Sequence, residues 1–101
     1  MPLQLNQAHL EFKQGVRDGK SKVTLDRGKT VEWLNVYSNK PGAKLELKVT
    51  DEWGNEVISR KVDTGDTKNF GERISLELSD SYYNVEVKNL EGAEEVDVFL
   101  D

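Results

Sequence analysis

A single histidine, His9, stands in this chain of 101 residues, and cysteine is absent. A His-dependent triad or dyad and a multi-histidine metal site therefore cannot be assembled within one chain, and no thiolate is available as nucleophile or ligand. The sequence contains no G-x-S-x-G elbow, no S-x-x-K pair and no glycine-rich phosphate loop. Carboxylates are numerous, and a pair of them can run glycoside hydrolysis. Yet Glu46 lies between Leu45 and Leu47, Glu77 between Leu76 and Leu78, and Glu86 between Val85 and Val87. That is the polar parity of amphipathic strands, which faces water. A domain this small also has little chain with which to wall off a substrate cleft. The expectation is a protein that is not an enzyme.

Two kinds of chemistry remain, one resting on loop oxygens and one on aromatic rings. Asp63, Thr64 and Asp66 in DTGDT, and Asp51, Asn55 and Glu56 around WGN, set carboxylates beside glycine-permitted carbonyls, the oxygen-rich composition that calcium takes. The same residues are those that turns use for local side-chain to backbone hydrogen bonds. Asp63 and Asp66 are the candidate calcium ligands. Trp53, flanked by Asp51, Glu52 and Gly54, sits in a turn where its ring is hard to bury against its own hairpin. It is either presented to a protein or a sugar, or folded back as a lid over one end of the domain. Tyr82 and Tyr83 must point to opposite faces, with Tyr82 outward, and Tyr37 ends a strand. Trp53, Tyr82 and Tyr37 are the candidate binding residues; Trp33, in mid-strand, is expected in the core, and His9 on a solvated strand face.

The elements that position these residues are strands. In Ala43–Thr50, Ala43, Leu45, Leu47 and Val49 alternate with Lys44, Glu46, Lys48 and Thr50, a period of two with one dry face. DEWGN then turns the chain into Glu56–Val62, so this segment reads as a hairpin. Before it come an arm or edge strand over 1–7, a strand carrying Leu10 and Phe12, and a turn at RDGKSK with Asp18-Gly19 as the hairpin signal. A short strand over Lys22–Leu25 and a turn at DRGK follow. Thr30–Tyr37 is ambiguous, because Val31, Trp33 and Tyr37 share one parity while Leu34 and Val36 share the other. Either both of its faces are covered, or a bulge between Trp33 and Leu34 changes register. After the hairpin, Phe70–Leu78, a strand with Tyr83, Val85 and Val87 inward, and a last strand with Val96, Val98 and Leu100 inward complete the chain.

About eight short strands at roughly ten-residue spacing predict an all-β antiparallel sandwich of jelly-roll type, with a small closed barrel as the alternative. One domain, 8–101, is expected behind the arm. With 14 Lys plus Arg against 19 Asp plus Glu the net charge is −5, which disfavours nucleic acid and anionic membrane surfaces. No apolar run of about 18 residues is present, so membrane insertion is not expected.

One resemblance is carried by Leu45, Leu47, Val49, Asp51, Gly54, Asn55 and Val57, in the pattern L-x-L-x-V-x-D-x-x-G-N-x-V, followed by Tyr82, Tyr83, Val85 and Val87 in Y-Y-x-V-x-V. This resembles the small β-sandwich accessory domains of secreted bacterial enzymes, the pre-peptidase C-terminal domains and jelly-roll carbohydrate-binding modules. The resemblance implies a noncatalytic module that binds polysaccharide, matrix or a parent enzyme, often with calcium. The charged loops here differ from the Gly- and Ser-rich loops usual in that group. Three functions follow as expectations: a noncatalytic interaction module for a protein partner, a carbohydrate-binding module, and a structural virion jelly roll whose arm and edges make homo-oligomer contacts. An extracellular, surface or virion setting is favoured over the cytoplasm.

Overall fold

The computed structural model describes residues 7–12, 18–24, 30–77 and 82–101. Residues 1–6 of the arm expected over 1–7, the DRGK turn, Leu78 and the SDS turn lie outside them. Among the described residues eight strands are present: β1 (Gln7–Glu11), β2 (Asp18–Thr24), β3 (Thr30–Ser38), β4 (Lys44–Thr50), β5 (Glu56–Asp63), β6 (Asn69–Glu77), β7 (Tyr82–Glu91) and β8 (Glu95–Leu100). They form two four-stranded sheets of order β1-β8-β3-β6 and β2-β7-β4-β5, with every pairing antiparallel. This is a two-sheet sandwich of jelly-roll order rather than a closed barrel. No helix among the described residues is long and apolar enough to cross a membrane.

The β4–β5 segment is a hairpin, and its order within the sandwich explains why it reads so clearly. It is the one connection between consecutive strands that stays within a sheet; each of the others passes from one sheet to the other. Its strands pair Leu45 with Val62 and Val49 with Ile58, with a register shift between Val49 and Thr50. The core between the sheets is made by alternate residues of all the inner strands: Val31, Leu34 and Val36; Leu45, Leu47 and Val49; Tyr83, Val85 and Val87; Val96, Val98 and Leu100, all buried.

Two sequence expectations are corrected here. Asp18-Gly19 is not a turn: both residues lie in β2, opposite Lys88 and Val87. A Cβ on Gly19 would stand 2.9 Å from Leu10 Cδ2 and 3.2 Å from Phe12 Cε1, so the glycine is there to admit Leu10 and Phe12 into the core. The register shift in β3 falls between Val31 and Trp33 rather than after Trp33. That places Val31, Leu34 and Val36 inside and turns Trp33 outward, 43% exposed, instead of into the core.

On β5 one inward position carries a charge. Arg60 lies between Ile58 and Val62 on β5, an edge strand, and its Nε donates to Glu72 Oε2 at 2.7 Å on β6, the facing edge of the other sheet. Inward-pointing charges of this kind blunt an edge against further strand pairing. At the end away from Trp53, the connections around 39–43 and 64–68 clasp each other: Gly42 N–H donates to Gly65 O at 2.8 Å, and Ala43 N–H to the buried Thr64 Oγ1 at 2.9 Å.

Candidate functional site

The two outer faces of the sandwich differ in chemistry. On β2-β7-β4-β5 the register sets Lys20, Glu86 and Lys48 in one cross-strand row, and Asp18, Lys88, Glu46 and Lys61 in the next. Opposite charges alternate along both rows, with Lys20 Nζ 3.7 Å from Glu86 and Lys48 Nζ 4.0 Å from Glu56. A hollow of about 690 Å³ lies over this face. Opposite charges neighbouring one another across the strands give this face a solvated ionic surface.

The outer face of β1-β8-β3-β6 is built differently. Along β3 the outward positions are Trp33, Asn35 and Tyr37, an amide between two aromatic rings. Antiparallel pairing brings Phe99 of β8 opposite Asn35, Asp97 opposite Tyr37, and Gly71 of β6 opposite Asn35 on the other side. Tyr37 and Phe99 meet edge to face, with ring centroids 5.4 Å apart and planes at 86°. Asn35 Nδ2 donates to Asp101 Oδ2 at 3.1 Å, which fixes the amide between the rings. Gly71 leaves room for the Asn35 side chain, since a Cβ there would stand 3.1 Å from Asn35 Oδ1. Tyr37, Asp97, Phe99 and Asp101 line a shallow depression of about 440 Å³.

Next to this depression, β1 contributes polar groups that the sequence alone left unconnected. Gln7 Nε2 donates to Asp97 Oδ1 at 3.2 Å, and His9 Nδ1 lies 2.7 Å from the same oxygen. The hydrogen bond to Asp97 raises the His9 pKa above 6.5; slight desolvation opposes it and Glu11 adds to it. His9, Glu11 and Glu95, all exposed, each place one potential ligand atom within 4.8 Å of the others. Asp63 Oδ1 accepts the Gly65 N–H at 2.9 Å, and the Thr64 carbonyl accepts from Thr67 Oγ1 at 2.7 Å.

The expected binding residues fall in three separate places. Trp53 crowns the β4–β5 turn and is 72% exposed, so it forms no lid. Asp51 Oδ1 holds that turn by accepting the N–H groups of Trp53 at 3.0 Å and Asn55 at 2.8 Å, while Gly54 takes φ of 86°. Desolvation pushes the Asp51 pKa up, but the Asn55, Trp53 and Gly54 donors together outweigh it and hold the carboxyl below its usual value. Tyr82 lies on the outer face of the other sheet, half-buried, with Lys22 Nζ 4.1 Å from its ring centroid. Tyr37 is 44% exposed and belongs to the aromatic face. Sequence reasoning missed its companions Trp33, Phe99, Asn35 and Asp97. The outward parity of Asn35 and Tyr37 was the available signal, and it pointed to Trp33 once the bulge was placed one step earlier.

Comparison with solved structures identifies the same sandwich elsewhere. The pre-peptidase C-terminal domain of a Bacillus anthracis collagenase superposes with a TM-score of 0.63 at 11% identity, covering 94% of this chain and 88% of that one. A family 32 carbohydrate-binding module from Clostridium perfringens, in complex with GlcNAc-α-1,4-galactose, gives 0.58 at 12% identity, covering 92% and 73%. A fucose-binding module from Streptococcus pneumoniae gives 0.55 at 14% identity, covering 92% and 71%. The fold is that of these accessory modules. No family model matches the sequence, and no curated protein matches it. The identities establish shared architecture, while the residues that would bind a ligand have to be read from this chain.

Proposed function

We propose that this domain is a noncatalytic glycan-binding module whose ligand lies on the outer face of the β1-β8-β3-β6 sheet, along β3. The observation that carries the reading is the outward row Trp33, Asn35 and Tyr37 beside Phe99, with two aromatic rings left about 43–44% exposed on one strand. Aromatic side chains present a broad apolar surface with a polar tip, which suits the apolar faces of sugar rings, and the interleaved amide and carboxylates suit their hydroxyls. Four residues of strand separate Trp33 from Tyr37, or about 13 Å, a span that fits several linked sugar units rather than one. Architecture shared with carbohydrate-binding modules supports the same reading. A glycan ligand would place the domain at a cell surface or outside the cell.

The test is affinity electrophoresis against a panel of soluble polysaccharides, with wild-type protein, Trp33→Ala, Tyr37→Ala and Trp53→Ala. Retardation by at least one glycan, weakened in the first two variants and kept in the third, is the expected result. Absence of retardation by every glycan overturns the proposal. A second reading is favoured by the 72% exposure of Trp53: the hairpin tip anchors a protein partner, as isolated exposed tryptophans do at interfaces. Loss of retardation in Trp53→Ala alone would overturn the β3 face as the glycan site and move the contact to the hairpin tip.

A further inference from the structure

The proposed glycan face ends, on β8, in the depression lined by Tyr37, Asp97, Phe99 and Asp101. Its composition favours positive charge in two independent ways. Aromatic ring faces attract cations through their quadrupole, and ionised carboxylates accept hydrogen bonds but cannot donate them. Both carboxylates are already oriented. Asp97 receives Gln7 and His9 through Oδ1, and Asp101 receives Asn35 through Oδ2. Among the described residues, Oδ2 of Asp97 and Oδ1 of Asp101 take no hydrogen bond, so each carboxylate keeps one oxygen for a ligand. Glu11 and Glu95 extend the negative charge along β1 and β8, whereas the outward arginine of this face, Arg73, is on β6, two strands away.

We infer that this depression takes the protonated amine of an unacetylated amino sugar within the glycan, so that the module prefers glucosamine-type polymers and rejects uronate or sulfated ones. The inference rests on the glycan reading above. An amino sugar is favoured over a lysine or arginine of a protein partner because the depression is continuous with the Trp33–Asn35–Tyr37 row through Tyr37 itself. N-acetylation removes the charge and fills the space next to the carboxylates, so the acetylated polymer loses the advantage.

Isothermal titration with three β-1,4-linked hexamers of matched length tests it: glucose, N-acetylglucosamine and fully deacetylated glucosamine. Binding of the glucosamine hexamer should exceed that of the glucose hexamer by about tenfold to a hundredfold, the range for a hydrogen bond to a charged group. The ratio should shrink as salt is raised. In Asp97→Asn/Asp101→Asn, which keeps side-chain volume, it should fall to within about threefold of one, while Glu46→Gln on the opposite face keeps the wild-type ratio. Equal affinities for the three hexamers, or a preference that survives the double substitution, would overturn the amine site while leaving the glycan reading in place. Failure of all three hexamers together with the wider panel would overturn the glycan reading itself. Binding of a short oligolysine that depends on Asp97 and Asp101, with no binding of the glucosamine hexamer, would replace the amino sugar by a basic protein segment.

Discussion

Truncation of Trp33 and Tyr37 is the perturbation whose size follows most directly from the structure. Trp33 is 43% exposed and Tyr37 44%; with about 200–250 Å² of surface on rings of this size, each leaves about 100 Å² open to a ligand. A sugar stacked on one side covers about half of that, and at about 25 cal/mol/Å² the contact is worth about 1.2 kcal/mol. Each alanine substitution should therefore weaken binding about sevenfold. The two rings stand about 13 Å apart on the strand and share no ligand contact, so the effects should add, to about fiftyfold in the double variant. Titration calorimetry with the tightest glycan from the panel measures this. Thermal midpoints of each variant check that the sandwich is intact, because the alanines also uncover ring surface packed on the sheet. Losses below about twofold in both single variants, or an equal loss in Trp53→Ala, would refute the assignment of this face.

Three further outcomes are expected. Gly92 has φ of 87°, and a Cβ there would meet the Gly42 carbonyl oxygen at 2.8 Å; since backbone cannot step aside cheaply, Gly92→Ala should destabilise by about 1–3 kcal/mol, read by denaturant midpoint. Leu34 is fully buried at the centre of β3, so Leu34→Ala should cost about 2–5 kcal/mol, whereas Leu90→Ala, at an exposed position, should stay within about 0.5 kcal/mol. The Asp97 hydrogen bond raises the His9 pKa from 6.5 in the folded chain, so the folded state favours the protonated ring. Its contribution is complete below pH 6.5 and disappears as pH rises through the higher folded value. Because the ring is largely solvent-exposed the effect is under about 1 kcal/mol, and it is measured as the wild-type minus His9→Gln difference in thermal midpoint at pH 5.5 and pH 8.

Much of the fold was legible because alternation is a local signal. β4, β7 and β8 each bury every second residue, and the sequence alone places Leu45, Val85 and Val98 inside. β5 was partly legible: its bounds lie within a residue of those observed, but Arg60 occupies an inward position that only the facing Glu72 on β6 explains. Gly19 misled because a glycine after aspartate signals a hairpin, whereas here it makes room for Leu10 and Phe12. Trp33 misled because a bulge placed one step too late leaves it on the inward parity of Val31 instead of the outward parity of Asn35 and Tyr37.

The candidate face was illegible for a related reason. Its residues come from β1, β8, β3 and β6, and His9 and Asp97 touch although 88 positions separate them. No periodicity within a strand reports which strand lies beside it. Trp53 stood out in the sequence because a turn residue needs no partner strand to be seen; the row on β3 becomes visible only when the sheet is assembled around it.

The chain's two tryptophans, Trp33 on the proposed glycan face and Trp53 on the hairpin tip, make the central claim directly observable. Their indole N–H groups give two separate signals in a nitrogen–proton correlation spectrum, one reporting each surface. On titration with a glycan retained in the electrophoresis panel, the Trp33 indole signal and the amides of Asn35, Tyr37, Gly71 and Phe99 should shift together while the Trp53 indole stays in place. Movement of the Trp53 indole and the Asp51–Asn55 amides, with Trp33 unmoved, would contradict the account.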